Sequence, residues 1–215
     1  MIKFILPAST IVDRIVPKNA FDAYTNNAQK KKMSSLVEKI RWAHKLSLET
    51  LNLPGNAIRE LEIIEVTLRG DGDIHPVLDV IDRAIPYPIL FILEGPAGSS
   101  LRLAAKHPSP ASEDNAVIDW VFTTSWQAEG PQFALRLERN LDQVHFEACK
   151  NISGTTKPHA DLPALINYMR TRTEIDKKIQ RIRQEMGKDI QFNRKVALNI
   201  ALKKAQDMLG ELEKG

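Results

Sequence analysis

The stretch DRAIPYPILFILE, residues 82–94, marks the point where a helix ends and a buried strand begins. A helix is predicted over residues 75–85, because apolar residues recur there on one face at helical spacing. Pro86 and Pro88 cannot continue that helix, since proline lacks an amide hydrogen and fixes its own backbone. Residues 89–93 are apolar on both faces, which predicts a central strand covered on both sides.

The segment before this helix predicts a second strand. Ile64, Val66 and Leu68 alternate with polar residues, as in a half-buried strand, and residues 70–73 (GDGD) form a turn. A strand, a short helix and another strand are most simply joined as a right-handed parallel crossover.

Downstream, apolar and polar residues alternate in three further segments, residues 101–106, 118–126 and 133–138. Each is predicted to be a strand with one exposed face, and the proline-containing residues 107–115 are predicted to be a mobile hairpin loop. The expected fold class is therefore α+β, with a mixed sheet of about five strands and flanking helices.

Two helices are predicted in the N-terminal part of the chain. A short one follows Pro17 and carries Phe21 and Tyr24. A longer one has an apolar face made by Met33, Leu36, Val37, Ile40 and His44. The opposite face of the longer helix is basic and carries Lys30, Lys31, Lys32, Lys39, Arg41 and Lys45.

The C-terminal part is predicted to be helical. One helix covers residues 141–152, and another follows Asp161, a plausible N-cap with Pro163 just inside the first turn. Two apolar tracts then recur at coiled-coil spacings, but they are out of register with each other. A single long helix and a helical hairpin that turns within residues 187–192 both fit, as a C-terminal arm over residues 161–215 that follows an α+β core domain over residues 1–160.

Composition limits the class of protein. The chain has 215 residues, of which 43% are hydrophobic, so it can build a sizeable core. The single Cys149 excludes an internal disulfide, and no apolar run approaches the roughly 20 residues that cross a membrane. The N-terminal residues 1–7 are too short for a signal peptide, so we expect a cytoplasmic protein with no membrane contact.

Charge is distributed unevenly along the chain. The formal net charge is +3, but residues 170–215 contain 12 Lys and Arg against 7 Asp and Glu. The remainder contains 18 basic and 20 acidic residues, so the basic excess belongs to the C-terminal part.

Metal binding has weak support in the sequence. His145 and Cys149 lie four residues apart on a predicted helix, but two ligands do not complete a site. Asp71 and Asp73 flank Gly72, but the twelve-residue calcium loop is not completed by a Glu at its end. We therefore expect no metal and no cofactor.

Catalytic motifs are incomplete. A metal-dependent nuclease of the restriction type needs an acid on one strand and an acid-x-Lys triplet on the next. Glu94, Lys106 and Asp119 are the candidates, but the triplet here is Ala104-Ala105-Lys106, without the second acid. The sequence lacks the serine-hydrolase, P-loop and dinucleotide-binding motifs, and residues 95–100 have phosphate-loop composition without its Lys. No catalytic residue is assigned.

Binding is the remaining class of function. Contact with nucleic-acid phosphates is assigned to basic residues of the two charged segments, namely Lys30, Lys31, Lys32, Lys39, Arg41, Lys177, Lys178, Arg181, Arg194 and Lys195. Trp126 or Tyr87 would stack on a base if exposed. A protein partner or a second copy is expected to cover the apolar stripes of the arm, made by Ile175, Ile179, Ile182, Met186, Leu198, Leu202 and Leu209.

Three segments carry a resemblance to a known family. Residues 82–94, together with IRWAHKLSLETLNL at 40–53 and QFNRKVALN at 191–199, resemble an uncharacterised bacterial and archaeal family, domain of unknown function 4391, over nearly the whole chain. Members of that family tend to be encoded beside superfamily-two helicases and DNA methyltransferases in restriction-like defence clusters. The resemblance implies such a protein as partner.

Two functional hypotheses follow. The first is a non-catalytic accessory subunit of a bacterial DNA-defence or restriction-modification-like system, docked to a helicase or methyltransferase through its C-terminal arm. The alternative is a degenerate or divergent metal-dependent nuclease acting on DNA or RNA.

Overall fold

The structure, a computed structural model, describes residues 4–110, 112–188 and 191–214, without the side chains of residues 112–114 and 192. The chain divides into two compact units, Met1–Thr155 and Thr156–Gly215. The first contains a mixed sheet with helices, and the second is helical, so the predicted α+β class is confirmed. Within the described residues, no helix has the length and apolarity needed to cross a membrane.

The sheet of the first unit has six strands that neighbour one another in chain order. Every adjacent pair is antiparallel except the third and fourth strands, which are parallel. The strands are β1 (Ile11–Ile15), β2 (Val37–Ser47), β3 (Glu60–Leu68), β4 (Ile89–Gly95), β5 (Gly98–Ser109) and β6 (Ser112–Thr123).

In the part of the first unit that the structure describes, four α-helices accompany the sheet, along with 3₁₀ turns at Ala8–Thr10 and Lys18–Tyr24. The helices are α1 (Asn27–Leu36), α2 (Leu48–Leu51), α3 (His75–Ala84) and α4 (Leu141–Ser153). The first begins with a capping box, in which Asn26 accepts from the amide of Gln29 and the Gln29 side chain accepts from the amide of Asn26. The predicted helix over residues 141–152 is confirmed.

The predicted parallel pairing of the two strands on either side of the helix is confirmed. Strands β3 and β4 are parallel, with Ile64 opposite Phe91 and Val66 opposite Leu93, and α3 joins them. Residues 89–93 are buried without exception, as expected for a strand covered on both faces. The helix ends at Ala84, before Pro86 and Pro88.

A hydrophobic cluster lies between α3 and one face of the sheet. It includes Val77, Leu78 and Ile81 of the helix, and its strand residues alternate, as one face of a sheet requires. The strand residues are Val37, Ile40, Ile64, Val66, Leu68, Ile89, Phe91 and Leu93.

Charged groups are buried at the edge of this cluster. Arg102 of β5 donates to the carboxylates of Asp82 and Asp79 on α3, and its guanidinium lies 5.6 Å from the centroid of the Phe91 ring. The Nζ of Lys106 donates to the backbone O of Asp82 at 2.7 Å and to Asp82 Oδ1 at 3.1 Å. The side chains of Asp82, Arg102 and Lys106 are fully buried.

Lys106 also closes the C-terminal end of α3. Its Nζ donates to the backbone O of Ile85 at 2.8 Å, so a cation lies where the helix leaves carbonyls without intrahelical partners. Burial lowers the pKa of Lys106, and the carboxylate of Asp82 opposes that shift. The prediction that β5 has an exposed face was wrong, because the strand uses Arg102 and Lys106 to bind α3.

The predicted long helix through Met33, Ile40 and His44 was also wrong. Helix α1 ends at Leu36, and residues 37–47 form β2. The register of β2 against β3 shifts twice, between Val37 and Lys39 and between Trp42 and His44. Each shift inserts a residue into the alternation of inward-facing and outward-facing side chains. Bulges of this kind convert a period of two into a spacing close to three, which imitates a helix in the sequence.

Three other strand predictions need correction. The expected loop at residues 107–115 is mostly strand, since β5 reaches Ser109 and β6 begins at Ser112. Residues 131–138 are irregular where a strand was expected, and β1 was not predicted. Six strands replace five because local alternation does not reveal which segments find a partner strand.

The second unit is a helical hairpin. Its helices are α5 (Leu162–Lys188) and α6 (Phe192–Lys214), and the amide of Ala164 donates to Asp161 Oδ1 at 2.8 Å, which confirms the predicted N-cap. Arg172 pairs with Glu213 at 3.6 Å, and Lys157 Nζ donates to the O of Leu212 at 2.9 Å. These contacts join the start of α5 to the end of α6, so the helices are antiparallel and the hairpin alternative is correct.

Replacing Asp82 by Asn should destabilise the first unit by about 3–5 kcal/mol, because two buried cations lose their shared carboxylate. Asp79→Asn is the matched control, since Asp79 also bonds Arg102 but has a side chain 36% exposed. The control should lose about 1 kcal/mol or less. Urea unfolding of both variants measures the difference, and equal losses would contradict the dominant role of Asp82.

Candidate functional site

A charged groove lies on the open part of the sheet, at the carboxyl ends of the parallel strands β3 and β4. Its volume is about 570 Å³. Ligands of open α/β sheets commonly bind outside the carboxyl ends of parallel strands, which makes this groove the first place to examine. The groove is lined by Asp13, Ile15, Lys39, Arg41, Glu65, Thr67 and Glu94.

Strand register brings these side chains to one face. Thr67 is paired with both Lys39 and Glu94 on its two neighbouring strands, and Glu65 is paired with Arg41. The residues that alternate with Glu65 and Thr67 on β3 are Ile64, Val66 and Leu68, and they belong to the hydrophobic cluster under α3. Alternation along β3 therefore places the polar residues on the opposite face.

Arg41 dominates the electrostatics of the groove. Its Nε and Nη2 donate to Glu65 Oε2 at 2.9 and 2.6 Å, and its Nη1 donates to Asp13 Oδ1 at 2.8 Å. These hydrogen bonds, first that of Glu65 and then that of Asp13, raise the pKa of Arg41. Asp13 has a φ of 48° at an irregularity in the pairing of β1 with β2. Two of the three carboxylates in the groove are thus neutralised by one guanidinium.

The residues predicted for a degenerate nuclease site are not brought together. Glu94 lies in the groove, opposite Ser99 of β5, whereas Lys106 lies seven residues further along β5. That separation is about 23 Å at the rise of a strand. Lys106 binds Asp82, and Asp119 contacts the Nδ1 of His107 at 2.8 Å. The groove residues Glu65 and Thr67 were missed, although their alternation with Ile64 and Val66 already placed them on a solvent face.

The predicted metal ligands are enclosed or used elsewhere. The Sγ of Cys149 lies 3.6 Å from Nε2 of His145, and both residues are buried. Asp73 Oδ1 accepts from the amide of His75, the first residue of α3, at 3.0 Å. Among the residues that the structure describes, no group of three or more His, Cys, Asp and Glu side chains is arranged to hold a metal ion.

Glu62 is a buried carboxyl with an unusual environment. It is 5% exposed, and Trp42 Nε1 donates to its Oε2 at 2.6 Å. Burial raises the pKa of Glu62 to about 7, whereas burial lowers the pKa of His145 to about 4. Both shifts favour the neutral form and arise from the same loss of water.

The basic residues predicted for nucleic-acid contact fall into separate groups. Lys30, Lys31 and Lys32 lie on α1, with Lys30 and Lys32 paired to Asp22 and Asp73 at 3.6 and 3.8 Å. Lys39 and Arg41 lie on β2, so the expected single basic helix face does not exist. Of the two candidate stacking residues, Trp126 is 39% exposed and Tyr87 is half-buried.

The remaining predicted basic residues lie in the hairpin. Lys177, Lys178 and Arg181 of α5 and Arg194 and Lys195 of α6 are exposed. They lie in the parts of the two helices that adjoin the connection between them.

The apolar residues predicted to bind a partner are packed inside the hairpin. Ile175, Ile179 and Ile182 form a cluster with Ala205, and the other predicted residues, Met186, Leu198, Leu202 and Leu209, pack against it. The hairpin therefore covers its own stripes. Its exposed apolar residues are others, Val196, Ile200 and Met208, whose exposed fractions are 43%, 68% and 42%.

Glu62 gives a pH-dependent prediction. Between its ordinary pKa of 4.5 and its folded value of about 7, the folded state binds more protons, so Glu62 makes the free energy of unfolding fall as pH rises. The total is about 3 kcal/mol. His145 acts oppositely, because between about 4 and 6.5 the unfolded state binds more protons.

In the wild type, Glu62 and His145 change the free energy of unfolding in opposite directions as pH rises, so their effects offset each other over the pH range that they share. Glu62→Gln should remove the falling slope, so that stability rises by about 2 kcal/mol more than in the wild type between about pH 4.5 and 6.5. Urea unfolding across that range measures the change. An unchanged pH profile in the variant would show that Glu62 titrates normally.

Comparison with known proteins identifies the family of the chain. No curated protein and no solved structure matches it. The family described as Domain of unknown function (DUF4391) matches residues 4–209, nearly the whole chain, as the resemblance at residues 40–53, 82–94 and 191–199 implied. The chain therefore belongs to the family of domain of unknown function 4391.

Proposed function

We propose that this protein is a non-catalytic accessory subunit of a bacterial DNA-defence or restriction-modification-like system. It docks a helicase or DNA methyltransferase through its helical hairpin. The observation that supports this proposal best is the exposed apolar pair Val196 and Ile200 on α6. The partner class comes from the family, whose members tend to be encoded beside such enzymes.

The geometry of α6 supports docking. Val196 and Ile200 are four residues apart, so they lie on one face of the helix, and that face is opposite the one that Ala205 turns into the hairpin core. An aliphatic pair at this spacing is the anchor pattern of a helix that binds a hydrophobic groove. The exposed basic residue Lys195 directly precedes the pair and would form part of a polar rim.

The reactive side chains of the first unit support a non-catalytic role. Cys149 and His145 are sealed in the core, and burial raises the pKa of the Cys149 thiol. The Nζ of Lys106 donates hydrogen bonds to Asp82 and to the backbone O of Ile85, and the guanidinium of Arg41 donates to Asp13 and Glu65. Each group thus has a structural partner in place of a substrate.

The docking proposal predicts loss of association in the double variant Val196→Ser and Ile200→Ser. Removing two buried aliphatic side chains from an interface costs about 2–4 kcal/mol, a weakening of roughly 30-fold or more. The measurement is co-purification and light scattering of the full chain with a helicase and a DNA methyltransferase encoded beside its gene.

The matched control is Lys203→Gln with Lys204→Gln, which changes the same helix without touching the apolar pair. Circular dichroism verifies that both double variants remain helical. If neither enzyme associates with the wild-type protein, or if the serine variant associates as well as the control, the docking proposal is wrong.

The second candidate is a divergent metal-dependent nuclease whose site would be the groove. Glu65 and Glu94 lie on adjacent parallel strands, and Lys39 is paired with Thr67, the residue that occupies the Lys position of a Glu65-x-Thr67 triplet. Two carboxylates with a nearby Lys are the groups that hold Mg²⁺ and an attacking water. The hydrogen bonds of Arg41 to Glu65 oppose this role.

The two candidates differ in a cleavage assay. The accessory role predicts no Mg²⁺-dependent cleavage of duplex DNA, single-stranded DNA or RNA by the purified wild-type protein. Cleavage that Glu65→Gln and Glu94→Gln each abolish, while Glu38→Gln leaves it intact, would establish the nuclease instead. Glu38 is the control because it is an exposed carboxylate on β2 outside the groove.

A further inference from the structure

We infer that the tip of the helical hairpin binds the phosphate backbone of a nucleic acid. The hairpin tip is defined as residues 177–188 of α5 together with residues 191–200 of α6. This inference goes beyond the docking of a protein partner and rests on different side chains.

The basic excess of the C-terminal part is confined to the tip. Residues 177–200 contain seven Lys and Arg against two Asp and Glu. Residues 170–176 contain two of each sign, and residues 201–215 contain three of each. The net charge of +5 is therefore carried by the tip half of the hairpin, which gives a local field far stronger than the +3 of the whole chain indicates.

The antiparallel fold concentrates this charge in space. At the root of the hairpin, Arg172 pairs with Glu213 and Lys157 binds the O of Leu212. The seven basic residues within 177–200 lie at the other end, on both sides of the connection. A single straight helix would have spread them over 24 residues, about 36 Å.

On α5, the basic side chains face away from the partner helix. Lys177, Arg181 and Lys188 are exposed and recur at spacings of four and seven, so they share one face. The opposite face carries Ile179 and Ile182, which are buried in the hairpin core. The three cations span about 16 Å of helix, the length of about five base pairs in a DNA duplex.

Polar amides favour a nucleic acid over an anionic membrane. Gln180, Gln184, Asn193 and Asn199 of the tip are exposed, and amide side chains commonly donate to phosphate and sugar oxygens. A helix that lies in a membrane surface needs its own apolar face free. Here the apolar stripes of both helices pack against each other, and the exposed pair Val196 and Ile200 is far smaller than such a face.

The test is a salt titration of binding to duplex DNA and to single-stranded DNA by the full chain. The triple variant Lys177→Gln, Lys178→Gln and Arg181→Gln should bind at least tenfold more weakly at about 0.1 M salt. The slope of log affinity against log salt should fall by about 2–3, since roughly 0.7–0.9 is lost per phosphate contact.

Two control variants separate this inference from the docking proposal. Lys203→Gln with Lys204→Gln removes the same kind of charge from the middle of α6, outside the hairpin tip, and should change affinity less than threefold. Val196→Ser with Ile200→Ser should keep DNA binding while it loses the protein partner, so failure of one proposal leaves the other standing.

Three outcomes would overturn the inference. The first is wild-type binding that is absent or insensitive to salt, and the second is an equal loss of affinity in the triple variant of the tip and in the Lys203→Gln, Lys204→Gln variant. The third is wild-type binding to anionic phospholipid vesicles that the triple variant loses, while its binding to DNA is unchanged.

Discussion

The contact between Asp82 of α3 and the two cations of β5 is the constraint on which the first unit depends. Arg102 and Lys106 are fully buried, and both reach the same carboxylate. Leaving any of the three groups buried without its partner would cost several kcal/mol, so the helix and strand must meet in one arrangement. Lys106 adds a hydrogen bond to the O of Ile85 and so fixes the end of the helix where the two prolines begin.

This constraint explains why the most distinctive stretch of the sequence is architectural. Residues 82–94 supply the shared carboxylate, the helix end and the buried parallel strand. The stretch also contributes Glu94 to the groove, because β4 ends beside Thr67 of β3 there. In that groove Arg41 joins β1, β2 and β3 through Asp13 and Glu65. A polar face that binds its own charges in this way can be exposed without being reactive.

The two units contribute different physical properties. In the first unit, burial raises the pKa of Glu62 and lowers that of His145, and both shifts favour the neutral form. The second covers its own apolar stripes and leaves charge and two aliphatic side chains, Val196 and Ile200, on the outside. Both proposals for binding depend on this hairpin, because its fold decides which residues of an amphipathic sequence remain available to another molecule.

The sequence by itself determined the α+β class, the helix and strand at residues 75–93, the N-cap at Asp161 and the family. Each of these depends on local periodicity or on proline and capping chemistry, which act over a few residues. The tertiary structure alone decided the strand identity of residues 37–47, because two bulges relative to β3 disguise its alternation. It also decided the burial of Arg102 and Lys106 and the covering of the apolar stripes in the hairpin. Those outcomes depend on contacts between segments that are distant in the sequence, and a local pattern does not show which distant segment a residue will contact.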